Sequence, residues 1–197
     1  EITYNAKEIA SCIDSAGNEG ASFVLFPELS LTGYTCADLF YQQSFLERAE
    51  SSLWDLVSRT RDSSVISIVG IPLRSNDRLY NSAVVFGYGR ILGCVPKQYL
   101  PNTREFYEQR WFSSGIDLSN REIKFGDQVV PFGDNLIFEN PRSGFSFGVE
   151  VCEDLWTVEP PSSALSLAGA SILFNLSASP ETLGKSSYRR DLVSQQS

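Results

Sequence analysis

The sequence predicts an α/β fold in which helices alternate with the strands of a mixed sheet. Apolar residues at helical spacing precede each of the first two buried runs, so the order helix then strand occurs twice. Further along, two β-rich runs are joined by a short glycine-containing link that is typical of an antiparallel hairpin. Helix–strand units combined with a hairpin predict a sheet that is covered by helices and contains both parallel and antiparallel pairs.

The first two helix–strand units occupy the N-terminal third of the chain. An apolar stripe at 9–16 predicts a helix, and the apolar run 23–26 predicts the strand that follows it. A second stripe at 46–57 predicts another amphipathic helix, which leads into a strand at 64–72. We expect both strands to be central, because their residues are apolar without alternation.

The remaining elements include the hairpin and a long connecting region. Strands are predicted at 81–86 and 90–95 around the glycine-containing link, and the span 101–134 is predicted as a structured loop region, because it is aromatic and polar without sustained periodicity. The last third of the chain carries the final predicted elements, which are a strand at 145–151, a short helix at 164–170, a strand at 171–176 and a helix from about residue 185.

Composition narrows the class of protein. The chain has 197 residues, of which 42% are hydrophobic and 20% charged, which fits one globular domain. A net charge of -8 argues against nucleic acid or an anionic membrane as a partner, and no apolar run approaches the roughly 18 to 20 residues of a membrane span. The four cysteines form no C-x-x-C pair, so we expect no zinc site and a reducing, cytoplasmic setting.

The absence of histidine restricts the chemistry that the chain can perform. Without histidine there is no Cys-His dyad and no Ser-His-Asp triad. Cys152 is the first candidate nucleophile, because it follows a predicted strand and would lie at the rim of a sheet. Its neighbours Glu150, Glu153 and Asp154 are acidic, and like charge disfavours a thiolate. A cation and a general base other than histidine are therefore expected nearby.

Two further polar residues end predicted strands in the same way. Glu28 follows the apolar run 23–26, and Lys97 follows the strand that ends at Pro96. A carboxylate, an ammonium group and a thiol together suffice for acyl transfer: Glu28 takes the thiol proton, Cys152 attacks and Lys97 donates to the developing oxyanion. Taken singly, each residue is more often a solvated loop residue, a cap or an inert core cysteine than a catalytic group.

The sequences around these residues resemble the motifs of the nitrilase, or carbon-nitrogen hydrolase, superfamily. The segment 26–34 resembles its glutamate motif, Pro96-Lys97 its lysine motif and 148–154 its cysteine motif, in the same order. The resemblance implies a four-layer α-β-β-α sandwich with Glu28, Lys97 and Cys152 as catalytic residues. It also implies that Glu108 is the second glutamate of the family, which positions the lysine and the attacking water.

Within this superfamily the chain is most similar to the glutaminase domains of glutamine-dependent NAD synthetases. The similarity extends over the segments 31–40, 97–112, 152–156 and 175–180. It implies hydrolysis of glutamine to glutamate through a Cys thioester, with the ammonia passed through a tunnel to a separate ATP-using domain that amidates deamido-NAD. The residues that it implies for glutamine binding are Tyr34, Thr103, Glu153 and Ser179.

This resemblance also sets expectations about what lies outside the chain. The Ser-Gly-Gly phosphate loop of the synthetase half is absent from the 197 residues, so we expect 1–197 to be a partial glutaminase domain, incomplete at both ends, within a longer polypeptide. We expect no cofactor in this domain, ATP and Mg in the synthetase domain, and a homo-oligomer. The alternatives are a free-standing amidase with another substrate and a catalytically inactive scaffold.

Overall fold

The computed structural model describes residues 1–118, 121–141 and 144–197. The longer helices of this part of the chain are α1 Ile2–Asn18, α2 Gln43–Arg59, α3 Pro161–Leu167 and α4 Lys185–Gln196. Its strands are β1 Phe23–Leu25, β2 Ile66–Ser75, β3 Arg78–Gly87, β4 Arg90–Pro96, β5 Glu122–Phe125, β6 Gln128–Pro131, β7 Ile137–Asn140, β8 Phe145–Val151 and β9 Ile172–Leu176.

The first four strands form one mixed sheet in the order β1-β2-β3-β4. Strand β1 is parallel to β2, whereas the pairs β2–β3 and β3–β4 are antiparallel. The link between β3 and β4 is the two-residue turn Tyr88-Gly89, in which both residues have positive φ, as a tight hairpin of this twist requires. The predicted mixed sheet and its hairpin are therefore confirmed.

A second sheet of three strands has the order β7-β8-β9. Strand β7 is antiparallel to β8, and β8 is parallel to β9. The parallel pair is connected through α3, which packs back onto β8. Gly148 permits this close approach, since a Cβ at this position would lie 2.8 Å from Cδ1 of Leu165 on α3. The carboxyl ends of β8 and β9 therefore lie side by side at the edge of this sheet.

Two layers of apolar side chains hold the elements together. Helices α1 and α2 pack on one face of the four-stranded sheet through a core that includes Ile13, Leu53, Val69 and Val84. The opposite face of that sheet packs against the three-stranded sheet through a second core that includes residues of β2, β3, β8 and β9. With α3 on the outer side of the second sheet, the order of layers is α-β-β-α, as the resemblance predicted.

The stripe on α2 shows why this helix forms and which way it faces. Leu46, Ala49, Leu53, Leu56 and Val57 recur at helical spacing and are all buried. Burying such a stripe is favourable by about 25 cal/mol for each square ångström of apolar surface removed from water. The spacing of these residues in the sequence therefore fixes the face of α2 that covers the sheet.

The connecting region predicted at 101–134 contains a hairpin that the sequence analysis missed. Strands β5 and β6 are four residues each and are joined by the two-residue link Gly126-Asp127. In β5, Ile123 and Phe125 are buried and their neighbours are exposed, which is the alternation of a half-buried strand. The run was too short and too polar to stand out, and positions 119–120 of the predicted loop lie outside the described residues.

In the part of the chain that the structure describes, none of the helices has both the length and the apolar content needed to cross a membrane.

Candidate active site

Four segments that follow strands converge at one edge of the two sheets. Glu28 lies three residues after β1, Lys97 directly follows β4 and Cys152 directly follows β8. The fourth segment, 177–179, follows β9 and contacts both Glu28 and Cys152. The sequence therefore places a carboxylate, an ammonium group and a thiol on different strands, and the fold brings them together.

Lys97 is at the centre of the cluster and is fully buried. Its Nζ lies 2.6 Å from Oε1 of Glu28 and 2.6 Å from Oε1 of Glu108, and both carboxylates are also buried. An ammonium group has three N–H donors, and only two have acceptors among the described residues. The third N–H of Lys97 is therefore available to an oxygen that enters the site.

Tyr34 and Asn81 complete the hydrogen bonding of the two carboxylates. The Tyr34 hydroxyl donates to Oε1 of Glu108 over 2.6 Å. The Asn81 amide donates to Oε1 of Glu28 over 2.7 Å and to Oε2 of Glu108 over 3.3 Å. Buried carboxylates are unfavourable unless paired and hydrogen-bonded, and here every oxygen has at least one donor.

The position of Glu28 depends on a glycine in β2. A Cβ at Gly70 would lie 2.2 Å from the backbone N of Leu29 and 2.7 Å from the carbonyl oxygen of Pro27. Real atoms do not approach so closely, so only glycine allows the turn that carries Glu28 to lie flat on the strand. The backbone N of Leu31 donates to the Gly70 carbonyl over 3.1 Å, which fixes the turn in this position.

Cys152 lies on a strained turn at the end of β8. Its φ is +49°, a left-handed conformation that costs a non-glycine residue about 1–3 kcal/mol. The Asn175 side chain donates to the Cys152 carbonyl over 3.4 Å and holds the turn. The thiol is 3.4 Å from the Ser177 hydroxyl, which itself accepts from the backbone N of Ser179. The Ser177 proton is therefore free to point at the sulfur.

The buried carboxylate of Asp154 connects the turn that carries Cys152 to the segment that follows Lys97. Its Oδ1 accepts from the backbone N of Gln98 and of Tyr99, over 3.1 and 2.9 Å. Its Oδ2 accepts from the backbone N of Val151 over 3.0 Å. Burial raises the pKa of Asp154 to about 7, although these backbone donors favour the ionised form. One side chain thus ties together the residues next to Lys97 and Cys152.

The electrostatics of the cluster keep the thiol protonated at rest. Burial, and after it the Glu28 carboxylate, raises the pKa of Cys152 to about 12, while Lys97 and Ser177 act in the opposite direction. Burial by itself would lower the pKa of Lys97, but the carboxylates of Glu28 and Glu108 outweigh it, so the pKa is raised and the ammonium group stays charged. The site therefore holds a neutral thiol beside a permanent cation and a carboxylate.

The acidic residues next to Cys152 in the sequence have other partners than the thiol. Glu150 is buried and accepts from the backbone N of Ser162 and the side chain of Asn175. Asp154 faces the lysine segment, as described above. The carboxylate that principally raises the pKa of the thiol is Glu28, which is 124 positions away (152 − 28). The raised pKa of the thiol therefore comes mainly from burial and Glu28, and not from the acidic sequence neighbours that were expected to cause it.

The four residues expected at the glutamine-binding end of the site differ in position. Tyr34 contacts the cluster through Glu108, and Ser179 lies in the segment next to Cys152 and accepts a hydrogen bond from Lys185. Glu153 directly follows Cys152 and is half-buried. Thr103 is exposed, and its carbonyl oxygen accepts from the backbone N of Phe106.

Two cavities of the described structure lie away from the buried cluster. A cavity of about 380 Å³ lies beside α4, and another of about 110 Å³ lies between α2, β2 and β5. Neither is lined by the buried cluster. Across the described ranges, no three His, Cys, Asp or Glu side chains are grouped as metal ligands. The candidate site is located by its charged side chains and its thiol.

A buried glutamate, lysine and cysteine at the edge of an α-β-β-α sandwich define the class to which this protein belongs. The chain belongs to the carbon-nitrogen hydrolase family, whose model matches residues 1–197. An amidase from Nesterenkonia sp. has the same fold, with a TM-score of 0.75 and 18% identity over 100% of this chain and 66% of that one.

Comparison with individual proteins points to one branch of the family. The glutamine-dependent NAD(+) synthetase of Mycobacterium tuberculosis (strain ATCC 25618 / H37Rv) is 43% identical over 190 residues, which are 96% of this chain and 28% of that protein. That of Homo sapiens is 33% identical over 198 residues, again 96% and 28%. The crystal structure of the synthetase from Cytophaga hutchinsonii has a TM-score of 0.80 and 30% identity over 96% of this chain and 30% of that one. The chain thus spans about 28% of the length of these curated relatives.

Proposed function

We propose that this chain is the glutaminase part of a glutamine-dependent NAD synthetase, in which Cys152 forms a γ-glutamyl thioester. The observation that carries the proposal is the hydrogen-bonded group of Glu28, Lys97 and Glu108 beside a buried thiol. The identity to synthetases from several species supports the choice of glutamine as the substrate.

Formation of the thioester requires a proton acceptor, because the resting thiol is neutral. Glu28 takes the proton of Cys152 as the sulfur attacks the γ-carbonyl carbon of glutamine, and the electron pair of the C=O bond moves to oxygen. The third N–H of Lys97 and the backbone N–H of Glu153 donate to this oxyanion. The C–N bond then breaks, and Glu28 returns the proton to the leaving group, so ammonia departs.

Hydrolysis of the thioester uses the same groups, with water in place of the thiol as the attacking group. Glu28 takes a proton from a water molecule as the water oxygen attacks the thioester carbonyl carbon. Lys97 again stabilises the oxyanion. The C–S bond breaks, the thiol regains its proton from Glu28 and glutamate is released. Glu108 keeps the ammonium group of Lys97 in place through its 2.6 Å contact.

The binding end of the site supports an α-amino acid as substrate. Glutamine carries an α-ammonium group, and the half-buried Glu153 carboxylate next to the nucleophile is a suitable partner for it. Ser179 and Tyr34 lie near the thiol and near Glu108, where they could contact the substrate chain. The exposed Thr103 fits this role only if its loop closes over bound glutamine.

The partner reaction uses the ammonia and lies outside this chain. We propose that a synthetase domain of the same polypeptide uses ATP with Mg to amidate deamido-NAD, in a cytoplasmic homo-oligomer. The synthetase of Acinetobacter baumannii was solved in complex with adenosine diphosphate, which supports ATP use in that protein. Equal glutamine turnover with and without the synthetase substrates would refute a coupling between the two reactions.

The experiment that tests the proposed function is labelling of the full-length protein with a diazo-ketone analogue of glutamine, followed by peptide mapping. We expect one adduct, on Cys152, and protection by glutamine but not by aliphatic amides. The exposed Cys12 and the half-buried Cys36 serve as internal controls and should stay unmodified. Protection by aliphatic amides would favour an amidase of other specificity. An unmodified Cys152 in folded protein would favour an inactive scaffold.

A further inference from the structure

Asn81 contacts all three charged residues of the site, although no catalytic motif includes it. It lies in β3 and is 1% exposed. Its Nδ2 is 2.7 Å from Oε1 of Glu28 and 3.3 Å from Oε2 of Glu108. Its backbone carbonyl oxygen accepts from the backbone N of Lys97 over 2.8 Å. One residue therefore joins both carboxylates and the strand end that carries the lysine.

The orientation of the Asn81 amide is fixed by charge. Only the NH₂ end can face two carboxylates, because the oxygen end would be repelled by them. Its Oδ1 consequently has no hydrogen-bond partner in the described part of the chain. An unpaired buried oxygen is unfavourable for folding. The contribution of this amide must therefore come from what its donors do to Glu28 and Glu108.

Because of the Asn81 contact, the two oxygens of the Glu28 carboxylate differ in the hydrogen bonds that they accept. Oε1 accepts from Lys97 and from Asn81, both within 2.7 Å, whereas Oε2 accepts from the backbone N of Ala178 at 3.2 Å. Hydrogen bonds to a carboxylate oxygen favour its charged form and make it a weaker proton acceptor. Oε2 is therefore the oxygen with the greater capacity to accept a proton.

We propose that Asn81 is a positioning residue that holds Glu28 so that Oε2 is the oxygen that takes the proton of Cys152. It acts through Glu28 and keeps Glu108 and Lys97 in position, without contacting the substrate. The inference rests on the proposed function for the identity of the substrate, but the arrangement of the base against the thiol is independent of it.

The test compares two variants of Asn81 with a matched control in the full-length protein. Asn81→Leu keeps the branched shape of the side chain and removes both the donors and the unpaired oxygen. Asn81→Asp keeps the shape and places a third carboxylate in the cluster. Ser67→Ala is the control, because among the described residues the buried Ser67 hydroxyl also has no hydrogen-bond partner and makes no hydrogen bond to the charged cluster. Thermal unfolding establishes that each variant is folded.

The kinetic measurement is glutamine hydrolysis. We expect Asn81→Leu to lower kcat by about 100-fold with little change in KM, because misplacing a catalytic group costs on the order of that factor. Ser67→Ala should match the wild type. A merely structural role would be indicated by an Asn81→Leu protein with wild-type kcat, which would overturn the inference.

A second measurement does not depend on the substrate. The rate of Cys152 alkylation by iodoacetamide is followed against pH, and its rise should move to higher pH from wild type to Asn81→Leu to Asn81→Asp, as uncompensated negative charge increases near the thiol. If the wild type fails to hydrolyse glutamine but this order is found, the proposed function fails and the inference stands. Identical profiles for all the variants would overturn the inference even if glutamine is the substrate.

Discussion

Lys97 Nζ lies 2.6 Å from Oε1 of Glu28 in an ion pair that solvent does not reach. Lys97 makes a second contact of the same length with Glu108. Within the described residues it is the only cation that pairs with these two buried carboxylates. The pair therefore serves the fold as well as the chemistry, and these two contributions can be measured separately.

Replacing Lys97 by Met should abolish glutamine hydrolysis and destabilise the fold by about 3–5 kcal/mol, the usual result of leaving buried charges unpaired. Burial already raises the pKa of Glu108, and without the cation this rise is larger. A carboxyl whose folded-state pKa is raised contributes stability below its unfolded pKa and loses it as the pH increases. The urea unfolding free energy of the variant should therefore increase on going from about pH 8 to about pH 5.

The control for this substitution is Lys7→Met, which removes an exposed lysine. Its unfolding free energy should stay within about 0.5 kcal/mol of the wild type. An equally small effect for Lys97→Met would contradict the burial of the ion pair.

Replacing Gly70 by Ala should displace the turn that carries Glu28, because the new Cβ would lie 2.2 Å from the backbone of Leu29. We expect destabilisation of about 1–3 kcal/mol from overpacking and a loss of kcat on the order of 100-fold. Gly17→Ala is the matched control, since its Cβ would meet only the Val65 side chain at 3.6 Å. Kinetics and thermal unfolding of the two variants measure the difference, and equal activities would show that the turn adapts.

Replacing Glu28 by Gln should separate two effects of this carboxylate on the thiol. As a base it is needed for catalysis, so kcat should fall by about 10²- to 10⁴-fold. As a charge it raises the pKa of Cys152, so its removal should lower that pKa from about 12 and increase thiolate formation at a given pH. A slower hydrolysis combined with a lower thiol pKa is the expected outcome.

The thiolate is measured from its ultraviolet absorbance as the difference between each protein and its Cys152→Ser form. In the wild type the absorbance should keep increasing beyond about pH 10, because the thiol ionises only near its raised pKa. Glu159→Gln, a change at an exposed carboxylate, should leave the titration unaltered. A wild-type thiol that ionises below neutral pH would refute the resting state described for the site.

Replacing Asp154 by Ala should remove acceptors from three backbone N–H groups at once. Leaving buried donors unpaired costs about 1–3 kcal/mol each, so we expect destabilisation of about 3 kcal/mol or more. Asp154→Asn retains the oxygen that serves Gln98 and Tyr99 and should lie between the wild type and the alanine variant. Urea unfolding gives the order, and an asparagine variant as unstable as the alanine variant would show that charge, not geometry, is decisive.

The sequence indicated that Glu28, Lys97 and Cys152 each end an apolar run, and the structure brings these three residues to one sheet edge, as strand ends do, while their catalytic roles stay a prediction. It did not predict Asn81, which lies within an apolar strand and resembles an ordinary sheet residue until long-range pairing brings the carboxylates to it. Gly70 was missed for the same reason, since its role depends on a turn 40 or more positions earlier (70 − 30 = 40, counted to Ser30).

The four residues expected at the substrate end stay predictions. They came from the resemblance to the family, and a resemblance in sequence does not specify how far a loop folds back. Thr103 is exposed, whereas Tyr34, predicted by the same reasoning, is anchored by its hydrogen bond to Glu108. The short strands β5 and β6 were missed because four residues of alternation are too few to distinguish from a loop.

The neutral resting thiol of Cys152 has a consequence for exposure to oxidants. Burial and the Glu28 carboxylate raise the pKa of Cys152 far above neutral pH, so the thiol form is strongly favoured at pH 7. Peroxide reacts with thiolates, so such a cysteine is a poor target for conversion to sulfenic acid. Under the proposed mechanism, a sulfur that becomes charged only when a substrate carbonyl is in place stays reduced through intervals of oxidative stress.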